Sequence, residues 1–357
     1  KGGEGLRAMR DVLPAHAGHP RKFDLLVVDE AHNIAPAAGA HYALESQRTK
    51  FIRSISPHFQ HRLFLTATPH NGYTESFTSL LELLDDQRFA RNILPDDKQL
   101  SQVMIRRLKS DLVDSDGKPL YAQRKLQALA VPYTREERDV HQKLNDYCAS
   151  REKDSDSGSS SFGTTFVNQL LKKRLFSSPS AFASTLEKHV ATLAEGGRRK
   201  PKDAMSERIL RKAILRVDED YANDQSVETA QSEAVEEASR SAQPLSQDQQ
   251  RMLADLRQWA QRAKNQPDSK ATAILAWLET HLRPGGKWNE RRVILFTEYR
   301  TTHQWMHEIL ASHGFGGERL GLLHGGLTQD EREPIKAAFQ ASPKDSPVRI
   351  LLATDAA

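Results

Sequence analysis

Phe23-Asp24-Leu25-Leu26-Val27-Val28-Asp29-Glu30-Ala31-His32-Asn33 sets the architecture of everything after it. Leu25 to Val28 is an apolar run with no polar alternation. Such a run suits a strand covered on both faces, as in a parallel sheet flanked by helices. It ends in two adjacent carboxylates, Asp29 and Glu30. In open α/β sheets, ligands sit at the carboxyl ends of the strands. In a nucleotide site, one acid can hold Mg2+ while the other orients a water against the γ-phosphate. The short stretch by itself equally fits a strand followed by an acidic helix cap, so the decision passes to its neighbours.

After a helical stretch closed by Pro57 comes Arg62-Leu63-Phe64-Leu65-Thr66-Ala67-Thr68-Pro69-His70-Asn71-Gly72. An apolar strand runs into two threonines and then into a turn of Pro, Asn and Gly. Hydroxyls at a strand end can bond the acids of the preceding strand. The helix that follows carries Phe77, Leu80, Leu81 and Leu84 at helical spacing. Farther on, Met104-Ile105-Arg106-Arg107-Leu108-Lys109-Ser110-Asp111 is a basic run. Val131 to Tyr133 reads as a strand, and Thr134 with Glu137 has the capping-box spacing of a helix start.

The middle of the chain has a different character. Residues 151–164 are rich in Ser, Asp and Gly and read as a loop. Phe166 to Leu175 reads as a helix, followed by Ser177-Ser178-Pro179. Residues 198–216 hold eight basic and two acidic residues, and residues 217–240 hold eight acidic and one basic, which suggests self-neutralising helices or a disordered insert. Met252, Leu253, Leu256 and Trp259 mark an amphipathic helix, with the Trp in the core.

From residue 266 strands and helices alternate. Val293-Ile294-Leu295-Phe296 reads as a buried strand, ending in Thr297-Glu298-Tyr299. Leu322-Leu323-His324-Gly325-Gly326 is a short strand entering a glycine turn, where the backbone can approach a phosphate. Thr328 and Glu331 again fit a capping box, and Val348 to Ala353 is a further strand ending in Thr354-Asp355. The alternation implies βαβ units and a mainly parallel sheet.

The 357 residues suffice for about two domains. No stretch approaches the roughly 20 apolar residues of a membrane span, and no signal pattern opens the chain. Cys148 is the only cysteine, which excludes an intrachain disulfide and a cysteine-based zinc site. A reducing, cytoplasmic setting is expected. The net charge of +4 is compatible with nucleic acid. The chain starts at Lys1 and stops directly after an apolar strand, so it reads as a piece of a longer protein.

Val-Val-Asp-Glu-Ala-His at 27–32 with Leu-Thr-Ala-Thr-Pro-His-Asn-Gly at 65–72 resembles motifs II and III of Swi/Snf-type, superfamily 2 helicase-like ATPases, in their bacterial form. The basic run at 104–111 and the Lys172-Lys173-Arg174-Leu175 stretch with its Ser-Ser-Pro are similar to elements of the same family. Phe296 to Tyr299, Leu323 to Leu327 and Leu352 to Ala357 resemble its motif IV, the element after it, and the opening of motif V. The resemblance implies an α/β fold of two incomplete RecA-like parallel-sheet lobes joined by a mostly helical, charged insertion. The expected division is 1–145 for the first lobe, 146–265 for linker and insertion, and 266–357 for the second lobe.

The same resemblance implies ATP hydrolysis coupled to movement on double-stranded DNA, with ATP and Mg2+ as cofactors. By that analogy Asp29 holds Mg2+ and Glu30 orients the attacking water. His32, Thr66 and Thr68 couple nucleotide state to lobe closure. His324, Gly325 and Thr354, together with Arg106 and Arg107, face nucleic acid. No G-x-x-x-x-G-K-[ST] loop occurs in the chain, and the family's arginine-bearing motif VI is also missing. Negligible ATPase activity is therefore expected of this stretch alone. A strand-separating or phage-defence helicase, and a non-catalytic DNA-binding module, remain as alternatives. RNA polymerase and defence-system proteins are the protein partners to consider.

Overall fold

Two parallel sheets carry the candidate residues. The computed structural model describes residues 23–35, 47–69, 72–154, 159–196, 224–240 and 242–354. The basic block 198–216, part of the acidic block, His70, Asn71 and Asp355 lie outside them. The chain divides into two units, residues 1–125 and 126–357.

In the first unit, β1 (Phe23–Val28) pairs in parallel with β2 (Phe59–Phe64), Val28 standing opposite Phe64. A 3-10 turn at Ala31–Ile34 and helix α1 (Gln47–Ile55) lie between them in sequence, and α2 (Thr74–Leu84) follows. Alternate strand residues point to opposite faces. Val28 and Phe64 pack with Ile34, Ile52, Leu80 and Leu83. Leu25, Val27, Leu63 and Leu65 point the other way and stay 51%, 50%, 46% and 44% exposed. The expectation of a strand covered on both faces thus holds for one face only. Phe77, Leu81 and Phe89 build a second cluster with Leu100 and Val103 of α3 (Asp97–Val103).

The second unit starts with a helical assembly: α4 (Arg135–Asp154), α5 (Ser159–Ser177), α6 (Pro179–Gly196), α7 (Asp224–Arg240) and α8 (Gln247–Ala263). Its core holds Leu144, Tyr147, Leu171, Phe182, Leu186, Ala234, Leu256 and Trp259. Thr134 and Glu137 cap α4 reciprocally, Thr134 N–H donating to the Glu137 carboxylate at 2.7 Å and Glu137 N–H to the Thr134 hydroxyl at 3.2 Å. Residues 131–133 are not a strand. Of the expected loop at 151–164, residues 151–154 and 159–164 are helix, and 155–158 lie outside the described residues. Asn168 of α5 donates to the Cys148 carbonyl and to Glu152 of α4, and such bonds between helices override the local polarity.

The sheet of this unit has the order β3-β5-β4, all parallel, with β3 at Val293–Thr297, β4 at Leu320–Leu323 and β5 at Ile350–Thr354. Central β5 is buried throughout. Ile350 and Leu352 face a core with Leu278 of α9 (Ser269–Leu282) and Trp305, Ile309 and Leu310 of α10 (Arg300–Ser312). Leu351 and Ala353 face Ile335 and Phe339 of α11 (Gln329–Gln340). β3 is an edge strand, and Phe296 is 67% exposed rather than buried. The helices join this sheet domain directly. Arg174 is buried, pairs with Glu228 at 3.0 Å and stacks 3.8 Å above the Tyr299 ring, and Glu228 also accepts from Thr301. Ser177 and Ser178 both hydrogen-bond the Thr302 hydroxyl, at 2.6 and 2.9 Å. Arg174 is therefore committed to the joint between the helices and the sheet.

Candidate functional site

The parallel pairing of β1 and β2 brings their carboxyl ends together. Leu65 N–H continues the ladder to the Val28 carbonyl at 2.9 Å, and Ala31 N–H returns to the Leu65 carbonyl at 2.9 Å. This crossing places Asp29, Glu30, His32 and Thr66 in one cluster. Asp29 and Glu30 are exposed, and the Asp29 carboxylate accepts the Glu30 amide at 2.9 Å. His32 Nδ1 lies 3.2 Å from the Glu30 carboxylate and 3.1 Å from the Thr66 hydroxyl. Thr66 in turn accepts the Thr68 amide at 3.2 Å. An unbroken polar chain thus runs from Glu30 through His32 and Thr66 to the backbone of Thr68.

Glu30 adopts φ 48° and ψ 47°, the left-handed region. For an L-residue other than Gly, Asn or Asp this is uncommon and costs about 1 kcal/mol or more. Strained backbone clusters at functional sites, where the fold holds a side chain in a required direction. Among the described residues no group of three or more His, Cys, Asp or Glu is arranged so that it could hold a metal ion by itself. Two exposed carboxylates are a poor all-protein cage, but they suit Mg2+, which takes one or two carboxylates together with substrate phosphates and water. The donor set therefore fits the ion that the sequence implies.

A second constellation lies in the other unit, at the ends of β4 and β5. Gly325 N–H donates to both oxygens of Asp224, at 3.0 and 3.2 Å, and the Thr354 hydroxyl donates to Oδ2 at 2.6 Å. All three residues are buried. Burial pushes the Asp224 carboxyl up, yet the bonds from Thr354, Gly325 and its own backbone outweigh this and hold it below the usual carboxylate range. His324 accepts the Gly326 amide at 3.2 Å, and its ring meets that of His303 edge-on at 5.7 Å. His303 Nε2 donates to the Leu352 carbonyl at 3.0 Å, while burial pushes its pKa down to about 4. A Cβ on Gly326 would lie 3.3 Å from the His324 ring, so glycine allows this tight turn. Arg332 clamps the turn by donating to the Gly325 carbonyl at 3.0 Å.

Arg106 and Arg107 are exposed in the first unit. Asp224, His303 and Arg332 were not singled out by sequence. Asp224 is one acid in an acidic block, and only its long-range bonds distinguish it. Cys148 is buried and its thiol is pushed up to about 12, which makes it unreactive at neutral pH.

Residues 273–357 match the helicase conserved C-terminal domain. That span runs from α9 through β5 and contains His324, Gly325 and Thr354. The RNA polymerase-associated protein RapA of Actinobacillus succinogenes is 44% identical over 71 residues, which is 19% of this chain and 7% of that protein. The Pyrococcus furiosus Hef helicase domain aligns over 98% of this chain and 64% of its own, at 13% identity and a TM-score of 0.37. The chain thus spans less than two thirds of either relative. Residues 273–357, with the parallel strands β3 to β5, thus form a helicase C-terminal domain, in a chain that shares a 71-residue similarity with RapA.

Proposed function

We propose that this chain belongs to an ATP hydrolase that uses nucleotide turnover to move along double-stranded DNA. The observation that carries the reading is the cluster at the ends of β1 and β2, where Glu30, His32 and Thr66 form one polar chain beside Asp29. Asp29 would supply the oxygen ligand for Mg2+, which when bound offsets the phosphate charge. Glu30, held by the strained backbone, is the group that positions a water and accepts its proton. His32 fixes the direction of the Glu30 carboxylate. Thr66 and Thr68 carry a change at that carboxylate into the segment after β2.

In the second unit, exposed and half-buried groups around the His324–Leu327 turn meet the phosphate backbone. Such contacts fix register without reading sequence, and their strength falls as salt rises. RapA is named for its association with RNA polymerase, and the similarity to it favours RNA polymerase over defence-system proteins as a partner. Movement on duplex DNA is separated from strand separation by a triplex-displacement assay with the full-length protein. ATP-dependent release of the third strand without unwinding of a forked duplex supports translocation. Efficient unwinding of the fork moves the protein to the strand-separating class, and no ATP-dependent effect in either assay overturns the reading.

A further inference from the structure

The Asp224 contact has the form of an occupied anion site. A backbone amide and a hydroxyl, from Gly325 and Thr354, converge on one carboxylate. The carboxylate arrives from a distant part of the chain, 101 residues before one donor and 130 before the other. Arg300 and His324 lie close enough to act on it electrostatically, and Arg332 holds the turn that presents the amide. A phosphodiester offers the same group to such donors: two anionic oxygens accepting N–H and O–H bonds. Donors of this kind, buried with a charged acceptor, are costly to leave unpaired.

Helix α7 does not need Asp224 to stay in place. Farther along, Glu228 bonds Arg174 and Thr301, and Ala234 and Ala238 sit in the helical core. Only the first turn must open for the carboxylate to leave, and helix ends fray at low free-energy cost. With Gly325 and Thr354 facing the phosphate backbone, as the proposed function has them, we propose that the Asp224 carboxylate occupies that phosphate position in the DNA-free chain and that duplex DNA binds there by displacing it. The proposal rests on the DNA-binding reading given above and adds to it an intramolecular competitor.

The test is anisotropy titration of a fluorescently labelled duplex DNA with the full-length protein at several salt concentrations. Asp224→Asn removes the competing charge and is expected to tighten binding roughly tenfold, with a salt slope steeper by about one phosphate contact. Adding Thr354→Val to Asp224→Asn is expected to cancel the gain. Glu233→Gln, an exposed charge on the same helix, controls for net charge and is expected to change affinity less than about twofold. If Asp224→Asn does not fold, Asp224→Ser carries the same expectation. Salt-sensitive binding by the wild type that neither Asp224 variant tightens overturns the proposal and leaves Asp224 a structural tie. Absence of duplex binding by every variant at low salt overturns the DNA reading itself and the proposal with it.

Discussion

Two residues are held by the fold in states that cost local free energy. Glu30 stands in the left-handed region where glycine is at ease, so its conformation is imposed by the turn between β1 and Ala31. Glu30→Gly is expected to be about 1 kcal/mol more stable than Glu30→Ala, because alanine keeps the strain and glycine relieves it. Thermal unfolding of the two variants checks this, and equal stability would show that the backbone is unstrained. His189 carries the opposite kind of cost. It is buried between the Tyr147 hydroxyl at 2.8 Å and the Ser239 hydroxyl at 2.7 Å, and burial, with Arg151 nearby, pushes it down to about 3. His303 is pushed down to about 4 by burial. The unfolded chain takes up both protons near the ordinary value of 6.5. The unfolded state therefore binds more protons below that pH. Stability is whole above pH 6.5 and falls as pH drops, by up to about 1.4 kcal/mol per pH unit for each histidine. Urea unfolding between pH 7.5 and 5 measures the slope, and a flat profile would contradict neutral burial of these rings.

At the scale of elements, one joint ties α5, α7 and the start of α10 through a single buried guanidinium. Arg174 donates to Glu228 and Gln231 and stacks on Tyr299, and Glu228 also accepts from Thr301. Arg174→Ala leaves a mostly buried carboxylate short of its cation and is expected to cost about 3 kcal/mol or more. Arg174→Lys keeps the charge but loses the planar fork and the stacking, and is expected to fall between alanine and wild type. Chemical denaturation of both variants tests the order, and Arg174→Ala within about 0.5 kcal/mol of wild type would show the joint to be ornamental. Elements of this kind were partly legible. The capping pairs Thr134–Glu137 and Thr328–Glu331 are local, so spacing found them. The Lys-Lys-Arg-Leu run was legible as a helix but not as a joint, since Glu228 and Tyr299 are distant in sequence.

At the scale of the molecule, the apolar runs gave the parallel α/β class because strand and helix periodicities are local signals. How deeply each strand lies was not legible. β5 is central and buried on both faces, while β1 and β3 have the same kind of run and keep one face open. Sheet order decides that difference, and sheet order is a long-range property. That the acids follow β1 and the threonines follow β2 was legible because each succeeds its own strand, and parallel pairing then sets the two strand ends side by side, with Thr66 on His32. The Asp224 contact was not, because nothing short of the folded chain joins an insertion residue to two strand ends. The central claim is that Glu30 positions the water that attacks ATP. Its most direct test is DNA-stimulated ATP hydrolysis by the full-length protein carrying Glu30→Gln, with duplex binding measured in parallel. The account predicts a fall of about a hundredfold or more in turnover with DNA affinity kept; turnover equal to wild type would contradict it.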